Sequence, residues 1–413
     1  MTKKLRIAVK HLQIGMSVLE LDRPWIETPF LLQGFTIGSR GDIKALQDHC
    51  EFVLIDPASV VFKGRKNKPQ KSYKPGYFND LYNKPAKIAS TPVEKEITAA
   101  STINVKASKL VKSCMDEIIL GNAIDEEVLK ENITNTVESI VRNPDAMMWL
   151  TRLKDKDNHA TQHSVNCSIL SATFGQFIGL PKQELEKLVL SALMHDIGKL
   201  QIPTEILNKP SNLTELEMKQ VRLHPKSSQN LLMSAGKYFL PAIDVAYTHH
   251  ERMDGSGYPR GLKATQISPF SRMTAIVDTY EAMTTEQVYR PELSPFESLK
   301  YLNANKGTLF DGPLVKSFVK LIGVFPIGSI VELTTGQIGI IITSNREDNL
   351  RPKILIMLDQ NKLATERSIL NLAKNSVDGL GRPIKIIRTL RKGDYGIDQH
   401  QLVTEGVEFT VLN

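Results

Sequence analysis

Three hydrophobic patterns follow one another along the chain. In residues 4–62 the apolar runs are short. Ile7-Ala8-Val9 and Phe52-Val53-Leu54-Ile55 read as strands, Gly34-Phe35-Thr36-Ile37 as another candidate, and residues 43–50 as a short helix. From about residue 93 the period becomes helical. Residues 97–120 and 126–141 carry apolar side chains at three- and four-residue spacing, and residues 161–178 and 181–199 continue the pattern. In the last of these Leu185, Leu188, Val189, Ala192 and Leu193 form one stripe, and Pro181 suits the helix start. Thr214-Glu215-Leu216-Glu217 spells a capping box for a helix that ends near His224, and residues 270–283 make a further helix. After Gly323 the pattern turns to strands at 329–333, 338–343 and 353–358, with turn residues Thr335-Gly336 and Ser344-Asn345 between them. The expectation is a multidomain, mainly α protein. It has a small α/β module at 1–62, a basic polar linker at 63–92, an all-α core at 93–322 and a β-rich region at 323–413.

A chain of 413 residues has room for two or three domains, and 41% hydrophobic with 23% charged residues is an ordinary soluble composition. The start, Met1-Thr2-Lys3-Lys4-Leu5, lacks an apolar leader, and no stretch approaches a membrane span, so a cytoplasmic protein is expected. Cys50, Cys114 and Cys167 lie far apart, which suits a reducing compartment, and Cys167 reads as a core residue. Much of the net charge of +7 is local: Lys63, Arg65, Lys66, Lys68, Lys71 and Lys74 share one Pro- and Gly-containing stretch. Without periodicity, and with Tyr73 its one aromatic, this reads as a solvated linker, and no nucleic-acid partner is expected.

The chemistry concentrates in histidines. Six of the nine lie between residues 159 and 250, interleaved with Asp196, Asp254 and Asp278. His195 and Asp196 stand at the end of a predicted helix, where neighbours point about a hundred degrees apart. Each can then reach a separate metal, or the carboxylate can bridge two. His159 and His163 share a helix face, and His249-His250 run into the loop Asp254-Gly255-Ser256-Gly257. Imidazole and carboxylate ligands without thiolates suit Fe, Mn or Zn. Two such ions can hold a bridging hydroxide and clamp a phosphoryl group during in-line displacement. His11, His49 and His400 read as ordinary packed core residues rather than ligands.

Segment by segment the region 150–325 resembles the HD-GYP family, metal-dependent phosphodiesterases of the HD superfamily. The likeness rests on Gln162-His163-Ser164-Val165-Asn166, His195-Asp196-Ile197-Gly198-Lys199, Lys209-Pro210 with Leu213-Thr214 and Glu217, and His224-Pro225. It continues through His249-His250-Glu251-Arg252 to Gly257-Tyr258-Pro259, then Arg272, Asp278 and Tyr289-Arg290. The start of the chain resembles the module often fused to such domains. The resemblance implies an HD-superfamily helical core. It also implies His163, His195, Asp196, His224, His249, His250 and Asp278 as metal ligands, with Asp196 bridging two divalent ions, Fe or Mn first. His159 is the candidate ligand for a third.

Asp196 and Lys199 are then catalytic, while Lys199, Arg290, Gly257, Tyr258 and Pro259 contact substrate. The implied reaction is hydrolysis of cyclic di-GMP to pGpG or GMP through the bridging hydroxide. Docking to a diguanylate cyclase and a homodimer are further options. Three positions depart from the family pattern. Gln287 stands where an Arg is usual. The segment His224-Pro225-Lys226-Ser227-Ser228 carries Ser where Gly is frequent. His159 stands where some members have Glu. Gln287 keeps open a cyclic di-GMP sensor without turnover, and the HD motif alone keeps open another cyclic dinucleotide such as cyclic GMP-AMP.

Overall fold

The computed structural model describes residues 4–13, 16–23, 35–37, 40–55, 89–120, 122, 124–153, 159–236, 239–286, 292–345, 348–374, 376–391, 393–399, 402 and 410–411. They belong to two compact units, Met1–Ser72 and Tyr73–Asn413.

The first unit is a four-stranded antiparallel sheet with one helix. Its strands β1 (Leu5–Ala8), β2 (Ser17–Leu21), β3 (Phe35–Thr36) and β4 (Phe52–Ile55) lie in the order β1-β4-β2-β3, accompanied by α1 (Arg40–His49). Alternation in β4 buries Val53 and Ile55, which meet Val18, Ile37, Leu46 and Cys50 in a small core. Asp22, just past β2, accepts hydrogen bonds from the Glu51 and Phe52 amides at 2.6 and 3.1 Å and so pins the two strands together. The sequence pattern missed β2, because Val18-Leu19-Glu20-Leu21 does not alternate cleanly. The expected strand at 7–9 sits slightly earlier, since Val9 already turns into a 3-10 segment.

The second unit begins with α2 (Val93–Leu120), α3 (Glu126–Arg142), α4 (Pro144–Leu150), α5 (His159–Phe177) and α6 (Lys182–Met194). It continues with α7 (Thr204–Leu207), α8 (Glu215–Val221), α9 (His224–Ala235), α10 (Leu240–Thr248), α11 (Pro269–Thr284), α12 (Pro295–Ala304) and α13 (Gly312–Ile322). Local chemistry sets the helix starts. The expected capping box of Thr214 and Glu217 opens α8, a second one of Ser294 and Glu297 opens α12, and Asn143 caps α4 ahead of Pro144. Helix α5 runs through the middle, buried almost all round between Ser164 and Phe174. Phe174 and Tyr280 of α11 both pack edge-on to Phe318 of α13.

Strands β5 (Ile330–Leu333), β6 (Ile338–Thr343), β7 (Lys353–Leu358), β8 (Ala364–Asn371), β9 (Ile386–Thr389) and β10 (Thr410–Val411) form one sheet in the order β10-β8-β7-β6-β5-β9. Ile338, Ile340 and Ile342 of β6 point one way, into the same core as the helices, together with Ile330 and Leu355. Ile341 points the other way, into a second cluster with Val331, Leu333, Ile354 and Ile356. This two-residue alternation explains the unbroken apolar run of β6: both faces of the sheet are covered.

Candidate metal centre

Helix α6 stops at Met194, short of the residue 199 expected from the sequence. His195 caps it while still at helical dihedrals, Asp196 leaves at φ −102° and ψ 7°, and Ile197–Gln201 form a 3-10 turn. The expected helix to residue 199 is therefore corrected, and the reason is packing at Gly198. A Cβ there would lie 2.1 Å from the His224 carbonyl oxygen and 2.4 Å from the Ser228 nitrogen. Only glycine lets this turn press onto the first turn of α9. The Gly198 amide donates to the Ser228 hydroxyl at 2.8 Å, so the serine that departs from the family pattern supplies an acceptor.

The bend carries Asp196 into the centre of a ring of imidazoles. One carboxylate oxygen, Oδ1, lies 3.1 Å from His224 Nε2 and 3.6 Å from His249 Nε2. The other, Oδ2, lies 3.4 Å from Nε2 of both His163 and His195, and 2.5 Å from Lys199 Nζ. Asp278 of α11 adds Oδ1 at 3.2 Å from His163 Nε2 and 3.8 Å from His195 Nε2. Two clusters result, His163, His195 and Asp278 with Cys167, and Asp196 with His224, His249 and His250. In each, the ligand atoms lie within 4.8 Å of one another.

Helix geometry aims the rings. His195, His224 and His249 each donate Nδ1–H to a backbone carbonyl three residues back, Ala192 at 2.6 Å, Val221 at 2.7 Å and Ala246 at 3.1 Å. His163 donates Nδ1–H to Glu281 at 2.5 Å. With Nδ1 so occupied in these four rings, Nε2 is the atom that turns inward and is available to a metal. The inward atoms are poorly satisfied as they stand. His195 Nε2 and Asp196 Oδ1 are buried without a hydrogen-bond partner, and the Nε2 atoms of His224 and His249 face each other at 3.3 Å. Two lone pairs at that separation repel, and each orphaned buried group costs about 1–3 kcal/mol. A divalent cation in each cluster satisfies both features, so the residues fit the metals that the sequence implied.

Burial and neighbouring charges push the groups of the two clusters in opposite directions. Burial alone would raise Asp196 and Asp278, but Lys199 and the histidines around them hold both carboxyls well below the usual range. Burial pushes His249 down to about 4 and His250 well below its ordinary value, leaving both neutral. For His195 burial also pulls downward, and the Asp196 and Asp278 carboxylates reverse the sign, to about 9.

Two residues escaped the sequence reading. Glu281 is buried, takes Nδ1–H of His163 on one oxygen and accepts from Asn166 and Thr285 on the other, both at 2.9 Å. Its place three residues after Asp278, on the same face of α11, was the available signal. Glu251 is buried as well, accepting from the amides of Arg260 at 2.7 Å and Leu262 at 2.8 Å, which folds the Gly-Tyr-Pro loop back on itself. In that loop Gly257 approaches the backbone of residues 250–252 so closely that a Cβ would sit about 2.5 Å from it. The Tyr258–Pro259 peptide is cis, and the Tyr258 ring stacks on His250 with centroids 4.7 Å apart. Cys167, one helical turn after His163, has its sulfur 3.7 Å from His163 Nε2 and is fully buried. His159 opens α5, but its side chain, Gln287 and Arg290 lie outside the described residues.

A family model described as an HD domain matches residues 150–314. A domain of unknown function (DUF3391) matches residues 4–128, and a KOW domain associated with HD domains matches residues 330–377. Among curated proteins, a cyclic di-GMP phosphodiesterase of Pseudomonas aeruginosa is 30% identical over 372 residues, 89% of each chain. A cyclic di-GMP phosphodiesterase response regulator of Xanthomonas campestris is 31% identical over 45% of this chain and 49% of its own. A 3′3′-cGAMP-specific phosphodiesterase of Vibrio cholerae is 38% identical over 36% of this chain and 34% of its own. The solved structure of an HDG"Y"P protein from Bdellovibrio bacteriovorus covers 78% of this chain and 99% of its own at 16% identity, with a TM-score of 0.47. No helix among the described residues is long and apolar enough to cross a membrane. Because the likeness to the Pseudomonas enzyme runs through nine-tenths of both chains at 30% identity, the chain belongs to the HD-GYP family of metal-dependent phosphodiesterases.

Proposed function

We propose that the protein hydrolyses cyclic di-GMP to linear pGpG, and onward to GMP by a second cut, with water activated between two divalent ions. The observation that carries this reading is Asp196, whose two oxygens face two different pairs of histidines. His163, His195 and Asp278 would hold one ion, His224, His249 and His250 the other, and Asp196 both. Imidazole and carboxylate donors suit Fe or Mn, and when bound such ions supply a nucleophile at neutral pH and neutralise phosphoryl oxygens in an in-line displacement. The names of the Pseudomonas and Xanthomonas relatives support the substrate.

The chain's own groups supply the rest. Lys199 is anchored through Asp196, yet its side chain is 35% exposed, so a fixed ammonium faces the incoming phosphate. Burial would lower it, but Asp196 and Asp278 raise it and keep it charged. It is placed to hold a phosphoryl oxygen as negative charge develops. Tyr258, held flat on His250, offers its ring as a wall against which the ribose or base can rest. That stacking favours a substrate wall over a docking surface for a partner protein.

A second reading, cyclic GMP-AMP as substrate, is favoured by the Vibrio relative at 38% identity. The test is hydrolysis by protein reconstituted anaerobically with Fe(II) or Mn(II), with both dinucleotides offered and products separated by chromatography. We expect pGpG and GMP from cyclic di-GMP, lost in the double variant His195→Ala/Asp196→Ala together with bound metal. Turnover surviving in the double variant would overturn the metal-centred mechanism. A clear preference for cyclic GMP-AMP would move the substrate to the second reading.

A further inference from the structure

A cleft of about 1040 Å³ opens beside His163 and continues away from the metal centre. Its near side is helical, including Gln162 and Asn166 of α5 and Glu281 of α11. Its far side comes from the C-terminal sheet region: Phe325, Gly328, Ile330, Leu390, Arg391 and Gln399 line it. That wall is fixed to the helices, because Ile330, Ile338, Ile340 and Leu355 share the helical core. The volume is at the upper end of small-molecule sites, where pockets run to about 1,000 Å³, and is suited to something as large as a dinucleotide.

Among the described residues lining this cleft, the Lys and Arg residues are two, Arg152 and Arg391. Neither guanidinium has an ion-pair partner among the described residues. Arg152 is held in place rather than trailing in solvent. Gly328 adopts φ +79°, and a Cβ on it would lie 2.8 Å from the Arg152 Cγ, so the glycine leaves the room that the arginine stem fills. Gly328 is itself clamped. Its carbonyl accepts from Gln399 Nε2 at 2.9 Å, and Gln399 Oε1 accepts from Trp149 Nε1 of α4 at 3.1 Å. Arg391 follows β9. The Leu390 amide donates to the Ile330 carbonyl at 2.8 Å, and the Arg391 amide to Asp394 at 2.8 Å. Its backbone is thereby placed while its side chain stays exposed.

The cleft also holds carboxylates, but two are committed: Glu281 to His163 and Asn166, and Glu297 to the capping box of α12. Glu286 and Glu292 also line the cleft, and carboxylates suit the N–H donors of a guanine edge rather than a phosphate.

A cyclic dinucleotide carries two phosphates on opposite sides of its ring. The metal centre addresses the one being cut, and the other needs cations at a distance. We propose that the C-terminal sheet region is part of the substrate site, with Arg152 and Arg391 binding the phosphate that is not being cut. This rests on the cyclic dinucleotide reading above. It also assigns a use to the far wall: the enzyme selects a two-phosphate ligand over a single phosphodiester, and two arginines are placed to supply the cationic contacts. An arginine is the suitable cation, because its planar fork pairs with phosphate in two hydrogen bonds.

The test compares the full-length, metal-loaded wild type with Arg152→Gln and Arg391→Gln on two substrates, cyclic di-GMP and the small diester bis(p-nitrophenyl) phosphate. The small diester needs the metals alone. We expect KM for cyclic di-GMP to rise about tenfold or more in each variant, the loss typical of one charged hydrogen bond, with kcat little changed. Cleavage of the small diester and metal content should stay at wild-type values. Arg152 is packed and its variant could misfold; Arg391 is exposed, so its variant tests the proposal by itself. An unchanged KM for cyclic di-GMP in Arg391→Gln would overturn the role of the sheet wall while leaving the proposed reaction intact. A wild type that cleaves the small diester but neither binds nor cuts cyclic di-GMP would end both.

Discussion

Replacing Glu281 by glutamine changes one atom near the metal centre and should cost it a metal. Glu281 Oε2 takes the Nδ1–H of His163 at 2.5 Å, while Oε1 accepts from Asn166 Nδ2 and from Thr285, both at 2.9 Å. Gln162 donates to Asn166 Oδ1 at 2.8 Å, which orients the Asn166 amide with its NH₂ toward Glu281. A glutamine cannot satisfy this arrangement. With its oxygen toward Asn166 and Thr285, its NH₂ faces an N–H on His163, and relief requires the imidazole to move its proton to Nε2, the atom that faces Asp196 and Asp278. With the amide reversed, the His163 bond survives but the Asn166 NH₂ points a donor at a donor, and the Thr285 hydroxyl must turn to accept. Either way the loss is about one charged hydrogen bond, about 1.5–3 kcal/mol, or about ten- to a hundredfold in affinity for one ion. The assay is competitive metal titration of Glu281→Gln against wild type, read with circular dichroism to show that the helices persist. An affinity within twofold of wild type, in a folded protein, would refute the claim that Glu281 sets the His163 tautomer.

Two further outcomes follow from the packing. Gly198→Ala drives a methyl into the His224 carbonyl and the Ser228 amide, so α9 must shift; overpacking of this kind costs about 1–3 kcal/mol, and both the melting temperature and metal content should fall, whereas an unchanged metal content would mean the bend at Asp196 does not depend on this contact. Cys50 and Cys114 are both pushed up to about 11, first by burial. Unfolded thiols ionise near 9, so the unfolded state loses its protons first, and their contribution to stability falls as pH climbs from about 9 to about 11. Urea midpoints should drop across that window in wild type and drop less in a Cys50→Ser/Cys114→Ser variant; equal slopes would show that these thiols are not coupled to folding.

The residues proposed to hold metal were named from the sequence through the family resemblance, and chemistry restricts what can stand at such positions. Few residue types bind a hard divalent ion, and five histidines with two aspartates in a fixed order leave little freedom. The helix starts at Thr214 and the strands at 338–343 and 353–358 were legible for a similar reason, since capping and alternation are local. What stayed hidden depends on contacts between distant segments. Nothing near Gly198 announces that its hydrogen will face the His224 carbonyl, so the helix was expected to continue to residue 199 although α6 stops at Met194. Glu281 looked like one more polar position on a helix until His163 was placed against it. Strands β8 and β9 carry exposed charged residues and lack the alternation that marks a half-buried strand. The substrate contacts are the least legible, for a physical reason: phosphate and guanine can be held by many surface groups, and their selection is a matter of where separate segments meet. Arg152 at the end of α4 and Arg391 after β9 become one site through the core that the sheet shares with the helices. The catalytic half of such an enzyme is therefore written in its residue types, and the recognising half in its packing. A change of substrate within the family can then proceed by altering the wall while the metal centre stays as it is.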